Sequence, residues 1–501
     1  MPKSNVFKVK EFLGPIIVGL VAIFLKLPFT SQGFFAFTYD QGRDFLKVAQ
    51  IIYDGKIMLI GPTTGLPGVF YGPWWYYFLS PLLYLSGGNP QKVAIFFGFL
   101  GVATVIGIYL LIRYLTDNLF LSICLGLVAA MSASWMLGPT LIWNPSLAPM
   151  LMIFLIFIIS KIFTSPKPIY YFMLGLVTLL IADSSAFFGS ALILSLVISS
   201  LIVRGNFLRK EFILTVAGAI LVLSPRILFD VRHNFLITKA IGAYLATPKI
   251  YGEQLSFIPR FIQRLDLFFG FFSWSIARGN KIIALFIIIL SIIFIFILFK
   301  NKKSFLKLKG DKLLIFLSLL VVFLFIGFTL FRDRVWDHYL VGLPVILIVI
   351  LAKIINTTYL LKNSKYLLNI FIVLLVIINF NKQLISPFKI TWLGGGSDYR
   401  NQKMVMDYIS GQNPQNYSIY AYSPAIFDYP FDYLIYWYQK RGLIQKPRDS
   451  EKLIYLIIRD DDKHTYLTRG WYGDKTKDKT TLLDRKEFPG QLILEKHLKN
   501  D

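Results

Sequence analysis

The sequence predicts an all-α polytopic membrane protein with about 11–13 transmembrane helices, followed by a small α/β domain at residues 381–501. First, 55% of the residues are hydrophobic and 16% charged, and the mean hydropathy is +0.61. A soluble domain is more polar. Second, uncharged runs such as Ile282–Phe299 and Leu313–Leu330 can cross ~30 Å of hydrocarbon as helices. Third, basic residues gather at the ends of these runs, where they meet lipid headgroups.

Eleven hydrophobic segments are predicted to cross the membrane, whereas a further apolar segment at 71–86 is not. Segment 71–86 is short and contains Pro73 and Pro81, so we interpret it as a half-inserted or interfacial helix. The predicted spans lie near 12–29, 93–112, 119–137, 147–160, 169–181, 185–203, 212–229, 281–299, 313–330, 339–352 and 366–380.

Charge predicts the orientation of the chain. The loop 300–312 carries six lysines and is therefore expected in the cytoplasm. Counting crossings from it places the first loop, 30–70, and the tail after Asn381 outside an integral plasma membrane protein. The basic N-terminus agrees if 71–86 does not cross, or if another crossing exists.

Residues 381–501 differ from the membrane region, 1–380. They carry a net charge of +4, against +20 for the rest. Because most basic residues lie at helix ends rather than on one polar domain, nucleic acid is excluded as a partner and membrane lipids are expected instead. Four short elements are predicted in the tail: strands at Tyr417–Tyr422 and Lys452–Arg459, and helices at Met404–Ile409 and Tyr433–Arg441.

The first external loop, 30–70, holds the best candidates for chemistry. Asp40 and Asp44 are four residues apart, so they share one face of a predicted amphipathic helix whose apolar residues fall on the other side. The helix dipole near Asp40 favours the ionised carboxylate, which suits a general base or a metal ligand. Arg43 lies between them and could hold phosphate. The alternative is an N-terminal cap with solvated charges.

The loop continues into an aromatic stretch, Gly61–Pro81. Tyr71, Trp74 and Trp75 are candidate cavity-lining residues, as a wall for a sugar ring or an isoprenoid tail. The alternative interpretation is an aromatic belt at the membrane interface.

The succession of YDQGRD and FYGPWWYYFLSP resembles the GT-C class of membrane glycosyltransferases. It is most similar to the family of protein O-mannosyltransferases and lipid A aminoarabinose transferases, glycosyltransferase family 39. The resemblance covers about 380 residues in hydropathy and loop order, and its motifs lie at 38–81. It implies a GT-C-like fold and transfer of a hexosyl or pentosyl group from a polyprenyl-phosphate donor to a lipid, glycan or protein acceptor outside the membrane. Asp40 would act on the acceptor as base.

Two departures from that family bear on the site. Gln41 follows Asp40 where an acidic residue is usual, and Tyr71-Gly72 precedes Pro73 where a lysine is frequent. A divalent cation therefore stays open, with Asp40 and Asp44 as candidate ligands.

Two further clusters of charged residues, first Pro225–Phe235 and then Arg332–Tyr339, are expected on the outer face. Arginine pairs well with phosphate oxygens, but ion pairs at a helix end are the alternative for the first cluster. The candidate donor-phosphate residues are Arg43, Arg226, Arg232, His233 and Arg332. His338 alone is more often structural, and Asp183 fits either a helix junction or a cavity wall. The remaining candidate cavity-lining residues are Asn144, Asp183, Asp337, His338 and Tyr339.

The favoured function is an inverting glycosyltransferase. A transporter or lipid flippase is the main alternative, although we find no inverted repeat. A non-catalytic scaffold is the second, and it would leave the acidic pair without a role. The triplet Asp460–Asp462 is interpreted as a solvated turn.

Overall fold

The computed structural model describes residues 5–132, 141–246, 255–300, 310–359, 365–380, 394–422, 428–459, 465–477 and 479–500. The helices of the membrane region are α1 (Asn5–Ser31), α2 (Tyr39–Asp54), α3 (Trp74–Leu85), α4 (Pro90–Thr116), α5 (Leu119–Ser132), α6 (Ala148–Thr164), α7 (Pro168–Ser184), α8 (Ala186–Val203), α9 (Ile213–Arg232), α10 (Leu236–Ala246), α11 (Phe257–Ile276), α12 (Lys281–Lys300), α13 (Lys312–Leu330), α14 (Leu343–Thr358) and α15 (Lys365–Asn379).

Each predicted span overlaps a described helix, and residues 133–137 of the span at 119–137 lie outside the described residues. Four of the spans are shorter helices: Leu119–Met131, Pro168–Ser184, Leu343–Thr358 and Lys365–Asn379. Six helical segments are individually long and apolar enough to cross a membrane: Phe12–Ser31, Pro90–Thr116, Asn144–Thr164, Ala186–Val203, Lys210–Arg232 and Lys312–Leu330.

Segment 71–86 forms α3, which is about 18 Å long and too short to cross the hydrocarbon layer. The amide of Gln91 at the start of α4 donates to the carbonyl of Ser31 at the end of α1, at 2.6 Å. The chain between these two residues therefore leaves and returns at the same end of the bundle. This geometry agrees with the interpretation of 71–86 as a segment that does not cross.

No span was predicted between 230 and 280, but this segment contains α10 and α11. Helix α11 and Lys281–Ile293 are together apolar enough to form a broken membrane span or a re-entrant loop, with a bend of 89° at their junction. Arg260, Arg264 and Asp266 interrupt the hydrophobic pattern of α11 and hide the helix from a hydropathy reading.

The C-terminal region forms a four-stranded mixed sheet in the order β1-β2-β4-β3. Strand β1 pairs parallel to β2, and β2 and β3 both pair antiparallel to β4. The two predicted strands are present, whereas β3 and β4 were not anticipated. The elements are α16 (Tyr399–Gly411), β1 (Tyr417–Tyr422), α17 (Tyr429–Lys440), β2 (Leu453–Arg459), α18 (Thr465–Thr476), β3 (Thr480–Phe488) and β4 (Leu492–Lys499). Asp460–Asp462 lies outside the described residues.

The C-terminal region shares a hydrophobic core with the first loop. Phe37 contacts Phe45, Tyr399 and Tyr433 at ring-centroid distances of 5.5, 5.9 and 6.0 Å. The backbone N–H of Phe37 also donates to the carbonyl of Ser397, at 2.8 Å. Residues 399–500 therefore pack directly against the segment that carries Asp40.

Candidate active site

Helix α2 begins with a capping box. The Thr38 backbone N–H donates to the Gln41 side chain at 2.8 Å, and the Thr38 side chain in turn accepts from the Gln41 backbone N–H. Gln41 is buried, so it closes the start of the helix rather than facing a ligand. The presence of Gln41, where the family usually has an acidic residue, is therefore explained by its role in capping α2.

Asp40 is the accessible carboxylate of α2, with 43% of its side chain exposed. Arg43, one turn further along, contacts it through Nη1 at 3.0 Å. Arg43 is itself only 12% exposed, and its ring neighbour is Tyr39, with the guanidinium 5.4 Å from the ring centroid. The carboxylate is therefore held in one orientation while one side stays open to a ligand.

Asp44 is not a second accessible carboxylate. It is 1% exposed and accepts from Arg43 Nε at 2.8 Å and from Trp75 Nε1 at 2.7 Å. Burial raises the pKa of Asp44 to about 6, although Arg43 and Trp75 oppose the shift. The expectation that both carboxylates face away from the apolar side is wrong, because α3 covers the Asp44 side of α2. The geometry makes Asp44 a positioning group for Arg43.

Gly42 lies where α17 crosses α2. A Cβ atom there would overlap the backbone of Tyr429 and Pro430. Tyr39 and Tyr429 also meet, with ring centroids 5.0 Å apart. Glycine at this position lets the C-terminal region press against the helix that carries Asp40 and Arg43.

The loop 61–72 folds back on itself and delivers Tyr71 to the site. The Gly61 N–H donates to the Tyr71 carbonyl at 2.8 Å, and the Tyr71 N–H donates to Pro62 at 3.0 Å. Burial raises the pKa of Tyr71, while hydrogen bonds with the Ala186 backbone and the Asn144 side chain lower it. The charges of Asp40 and Arg43 also act on this hydroxyl, so Tyr71 lies within electrostatic range of that ion pair.

Asp183 and Arg226, which the sequence suggested separately, form an ion pair of 2.8 Å. Asp183 is 3% exposed and packs so closely against Gly72 that a Cβ atom there would overlap its carboxylate. Arg226 also reaches the carbonyl of Phe70 at 3.4 Å, and Trp74 donates to the carbonyl of Val222 at 2.8 Å. The pair therefore anchors the loop beside Tyr71 and leaves Arg226 next to the site.

An apolar cavity of about 440 Å³ adjoins these groups. Its polar members, Asn144, Asp183 and Ser184, lie together because the Asn144 amide donates to the Ser184 carbonyl at 2.9 Å. The remaining lining residues are aromatic or aliphatic, and they include Trp74, Trp75, Tyr77, Phe78, Leu147 and Leu180. Such a lining suits a hydrocarbon chain with one polar end.

A second cavity of about 270 Å³ is lined in part by Phe187, Asp333, Trp336 and Tyr339. Tyr339 stacks on Phe187 with ring centroids 4.5 Å apart. The ring centroids of His338 and Trp143 are 4.9 Å apart, so His338 packs among aromatic side chains. The side chain of Asp337 lies outside what the structure describes.

Three of the proposed phosphate ligands are surface residues. Arg232, His233 and Arg332 are exposed. His233 folds back on its own helix, with its ring 3.9 Å from that of Phe229. The neighbouring Asp230 accepts from the Ile237 N–H at 2.6 Å and so caps α10. Of the charged side chains in 225–235, Arg226 is the one that the contacts described bring to the loop beside Tyr71.

Sequence reasoning missed a buried arginine behind the second cavity. Arg264 is 2% exposed and donates to the carbonyls of Phe328 and Asp333 at 3.2 and 2.7 Å. The Asp333 carboxylate accepts from the Tyr244 hydroxyl at 2.6 Å. An arginine inside an apolar run was the available signal, because such residues rarely lack a partner or a role.

The acidic residues of α2 do not fit a divalent cation. Arg43 occupies the space between Asp40 and Asp44 and contacts both carboxylates. Within the described residues, no group of three or more His, Cys, Asp or Glu could hold a metal ion. Trp75 takes the other oxygen of Asp44, so this pair has no arrangement suited to metal ligation.

The helical bundle and its C-terminal sheet define a multi-pass membrane protein of GT-C-like fold. The chain is similar to ArnT from Cupriavidus metallidurans in the apo state, with a TM-score of 0.59 over 98% of both chains at 11% identity. It is also similar to the same protein bound to undecaprenyl phosphate, with a TM-score of 0.55 at the same coverage and identity. The predicted fold and resemblance are thereby confirmed. No protein-family model and no curated protein matches the sequence.

Proposed function

We propose that the protein is a glycosyltransferase that moves a sugar from a polyprenyl-phosphate donor to an acceptor hydroxyl outside the membrane. One observation carries the proposal: the accessible carboxylate of Asp40 pairs with Arg43, and Asp44 joins Arg43 to Trp75, which lines an apolar cavity. The likeness to ArnT, which has been solved with undecaprenyl phosphate, supports a donor of this chemical class.

Asp40 is proposed as the general base. It accepts the proton of the acceptor hydroxyl as that oxygen attacks the anomeric carbon, and the bond from this carbon to the phosphate oxygen breaks. Such assistance contributes ~10²–10⁴-fold. A single displacement predicts inversion at the anomeric carbon. Asp44 keeps Arg43, and through it Asp40, in place.

Two arginines are proposed to stabilise the departing phosphate. Arg43 directs Nε, Nη1 and Nη2 towards the two aspartates and also interacts with the Tyr76 hydroxyl. Its five N–H donors exceed these contacts, so a donor remains for a phosphate oxygen. Arg226 lies beside the loop that holds Tyr71. Donors aimed at developing negative charge in a site sheltered from water lower the barrier most. Arg232, His233 and Arg332, being exposed, are proposed to attract the anionic donor from outside.

The two cavities are proposed to bind the isoprenoid chain and the sugar of the donor, respectively. The apolar cavity beside Trp74 and Trp75 suits the isoprenoid chain. The smaller cavity, with the stacked rings of Phe187 and Tyr339 and the carboxylate of Asp333, suits a sugar ring, whose C–H face packs on aromatics and whose hydroxyls donate to carboxylates.

The test is the transfer of a labelled sugar from a polyprenyl-phosphate donor by the purified, reconstituted chain. We expect Asp40→Asn to lower transfer by ~10²–10⁴-fold, because the amide cannot take the proton. Asp54→Asn is the matched control, since Asp54 is exposed at the far end of the same helix. Full activity of Asp40→Asn, with the variant correctly folded, contradicts the proposal. Substrate flux without a lipid-linked donor would indicate a transporter, and neither activity would indicate a scaffold.

A further inference from the structure

A separate cavity of about 500 Å³ lies at the opposite end of the bundle from Asp40. Helix α4 starts near Ser31, beside the first loop, and runs about 40 Å to Thr116. The cavity is formed where α4 and α6 end and α13 begins. Its lining includes Tyr114, Ser160, Thr164, Asp311, Lys312 and Lys353.

The charges around this cavity are arranged, not scattered. Lys353 pairs with Asp311 at 2.6 Å, and both side chains are less than one-fifth exposed. Asp311 also accepts from the Leu314 N–H at 3.1 Å, as the N-cap of α13. Lys312 lines the cavity as well, and Lys161 lies with Nζ 4.7 Å from the centre of the Tyr114 ring. Among the described lining residues, Asp311 is negatively charged and Lys312 and Lys353 are positively charged, so the cavity carries a net positive charge.

An apolar surface leads away from this charged cavity along α4 and α6. Leu110, Tyr114 and Phe154 are 52%, 44% and 52% exposed, although they belong to helices apolar enough to cross a membrane. Tyr114 contacts Phe157 at a ring-centroid distance of 5.2 Å, which joins the two helices beside the cavity. The positively charged cavity therefore lies next to the exposed apolar surface of α4 and α6.

We propose that this cavity binds the headgroup of an anionic phospholipid, with the acyl chains lying along α4 and α6. The lysines attract a phosphodiester that carries net negative charge, which a zwitterionic headgroup does not. The adjoining apolar surface favours a lipid over a free phosphate. This site is distinct from the donor site, because it lies at the other end of the bundle and shares none of its residues.

Native mass spectrometry of the full chain, released from phosphatidylcholine nanodiscs and titrated with phosphatidylglycerol, tests the proposal. We expect Lys161→Gln/Lys312→Gln to bind phosphatidylglycerol about 25-fold more weakly than the parent chain, at about fivefold per lysine. The matched control is Lys167→Gln/Lys210→Gln, which removes two exposed lysines outside the cavity and should bind normally.

Three results would overturn the proposal. The first is unchanged phosphatidylglycerol binding by Lys161→Gln/Lys312→Gln. The second is an equal loss in the control variant, which means diffuse attraction to a basic surface. The third is displacement of the lipid by glycerol phosphate at equal concentration, which indicates a site for a soluble anion. Asp40→Asn should bind the lipid as the parent chain does, so this test is independent of the proposed transferase activity.

Discussion

At the residue scale, Arg43 contacts both Asp40 and Asp44 and so fixes the orientation of the Asp40 carboxylate. Asp44 is buried and fixes Arg43, and Arg43 in turn orients the accessible Asp40. The planar guanidinium can bridge two carboxylates at once, which an ammonium group cannot do with the same geometry.

Arg43→Lys should therefore lower transferase activity although it keeps the charge. A lysine cannot contact Asp40 and Asp44 together, so the base loses its orientation, and we expect about a 10²-fold fall in kcat. Lys47→Gln, on the exposed side of the same helix, is the control and should leave kcat unchanged. Parent-like kcat in Arg43→Lys would argue against orientation by the guanidinium.

Activity should fall as the pH drops through about 6, because Asp44 then gains a proton and loosens its hold on Arg43. The groups facing Asp44 are Arg43, Trp75, Tyr76 and Asp40, and burial raises its pKa to about 6 from 3.8. A raised pKa in the folded state means that the stability contributed by protonated Asp44 is complete below about 4 and is lost as the pH rises through about 6.

Asp44→Asn should remove this acidic limb and leave a lower, flat activity between pH 5 and 7. A pH–rate profile of kcat for both chains checks it. An unchanged limb in Asp44→Asn would assign the titration to another group.

The sequence predicted Asp40, Arg43 and Tyr71 as site residues, and the structure brings them together. It did not predict that Asp44 is buried, because helical spacing gives an angle around the helix but not which element covers that side. Arg264 was missed for a related reason: its partners are carbonyl groups far along the chain.

At the element scale, α2 is held between α3 and α17. Trp75 of α3 contacts Asp44 on one side, while the backbone of Tyr429 and Pro430 meets Gly42 on another. The helix is thus positioned by contacts from two distant parts of the sequence.

Gly42→Ala should destabilise the protein by about 1–3 kcal/mol, because the added methyl overlaps backbone that cannot rotate away. Displacement of α2 should also lower kcat more than it raises KM for the donor, since the two cavities proposed to hold the donor are lined by residues outside α2. Thermal unfolding and steady-state kinetics measure the two effects. Gly270→Ala is the control: it lies within α11 with nothing near the added atom, and it should be neutral or stabilising.

Strands β1 and β2 were predicted from the alternating and mixed patterns of polar and apolar residues at 417–422 and 452–459. Strand β3 was not, because TTLLDRKEF is largely exposed at the sheet edge and its charges resemble a loop. The hydrophobic helices were predictable from length and composition, whereas α11 was obscured by its arginines.

At the scale of the whole molecule, the C-terminal region is joined to the bundle by polar contacts around the start of α4. Tyr433 donates to the Gly88 carbonyl at 2.6 Å, and Trp437 donates to the Gly87 carbonyl at 2.9 Å. The packing of α17 on α2 begins beside these bonds.

Trp437→Phe should loosen this junction. We expect a loss of about 1 kcal/mol and faster hydrogen exchange in residues 39–54, with no change in the bundle core. Tyr417→Phe is the control, because it removes a hydrogen bond to Gln445 within the C-terminal region alone. Equal exchange in 39–54 for both variants would show that the junction does not stabilise α2.

The close approach of Gly42 to Tyr429 also affects biogenesis. The ribosome completes α2 about 375 residues before it completes the start of α17, which at 5–20 residues per second is a delay of roughly 20–75 s. During that interval the nascent chain begins to insert into the bilayer while the helix that carries Asp40 still lacks its contact with α17. A translation product that stops short of α17 would therefore be inserted yet inert, and activity would require roughly the last seventh of the polypeptide.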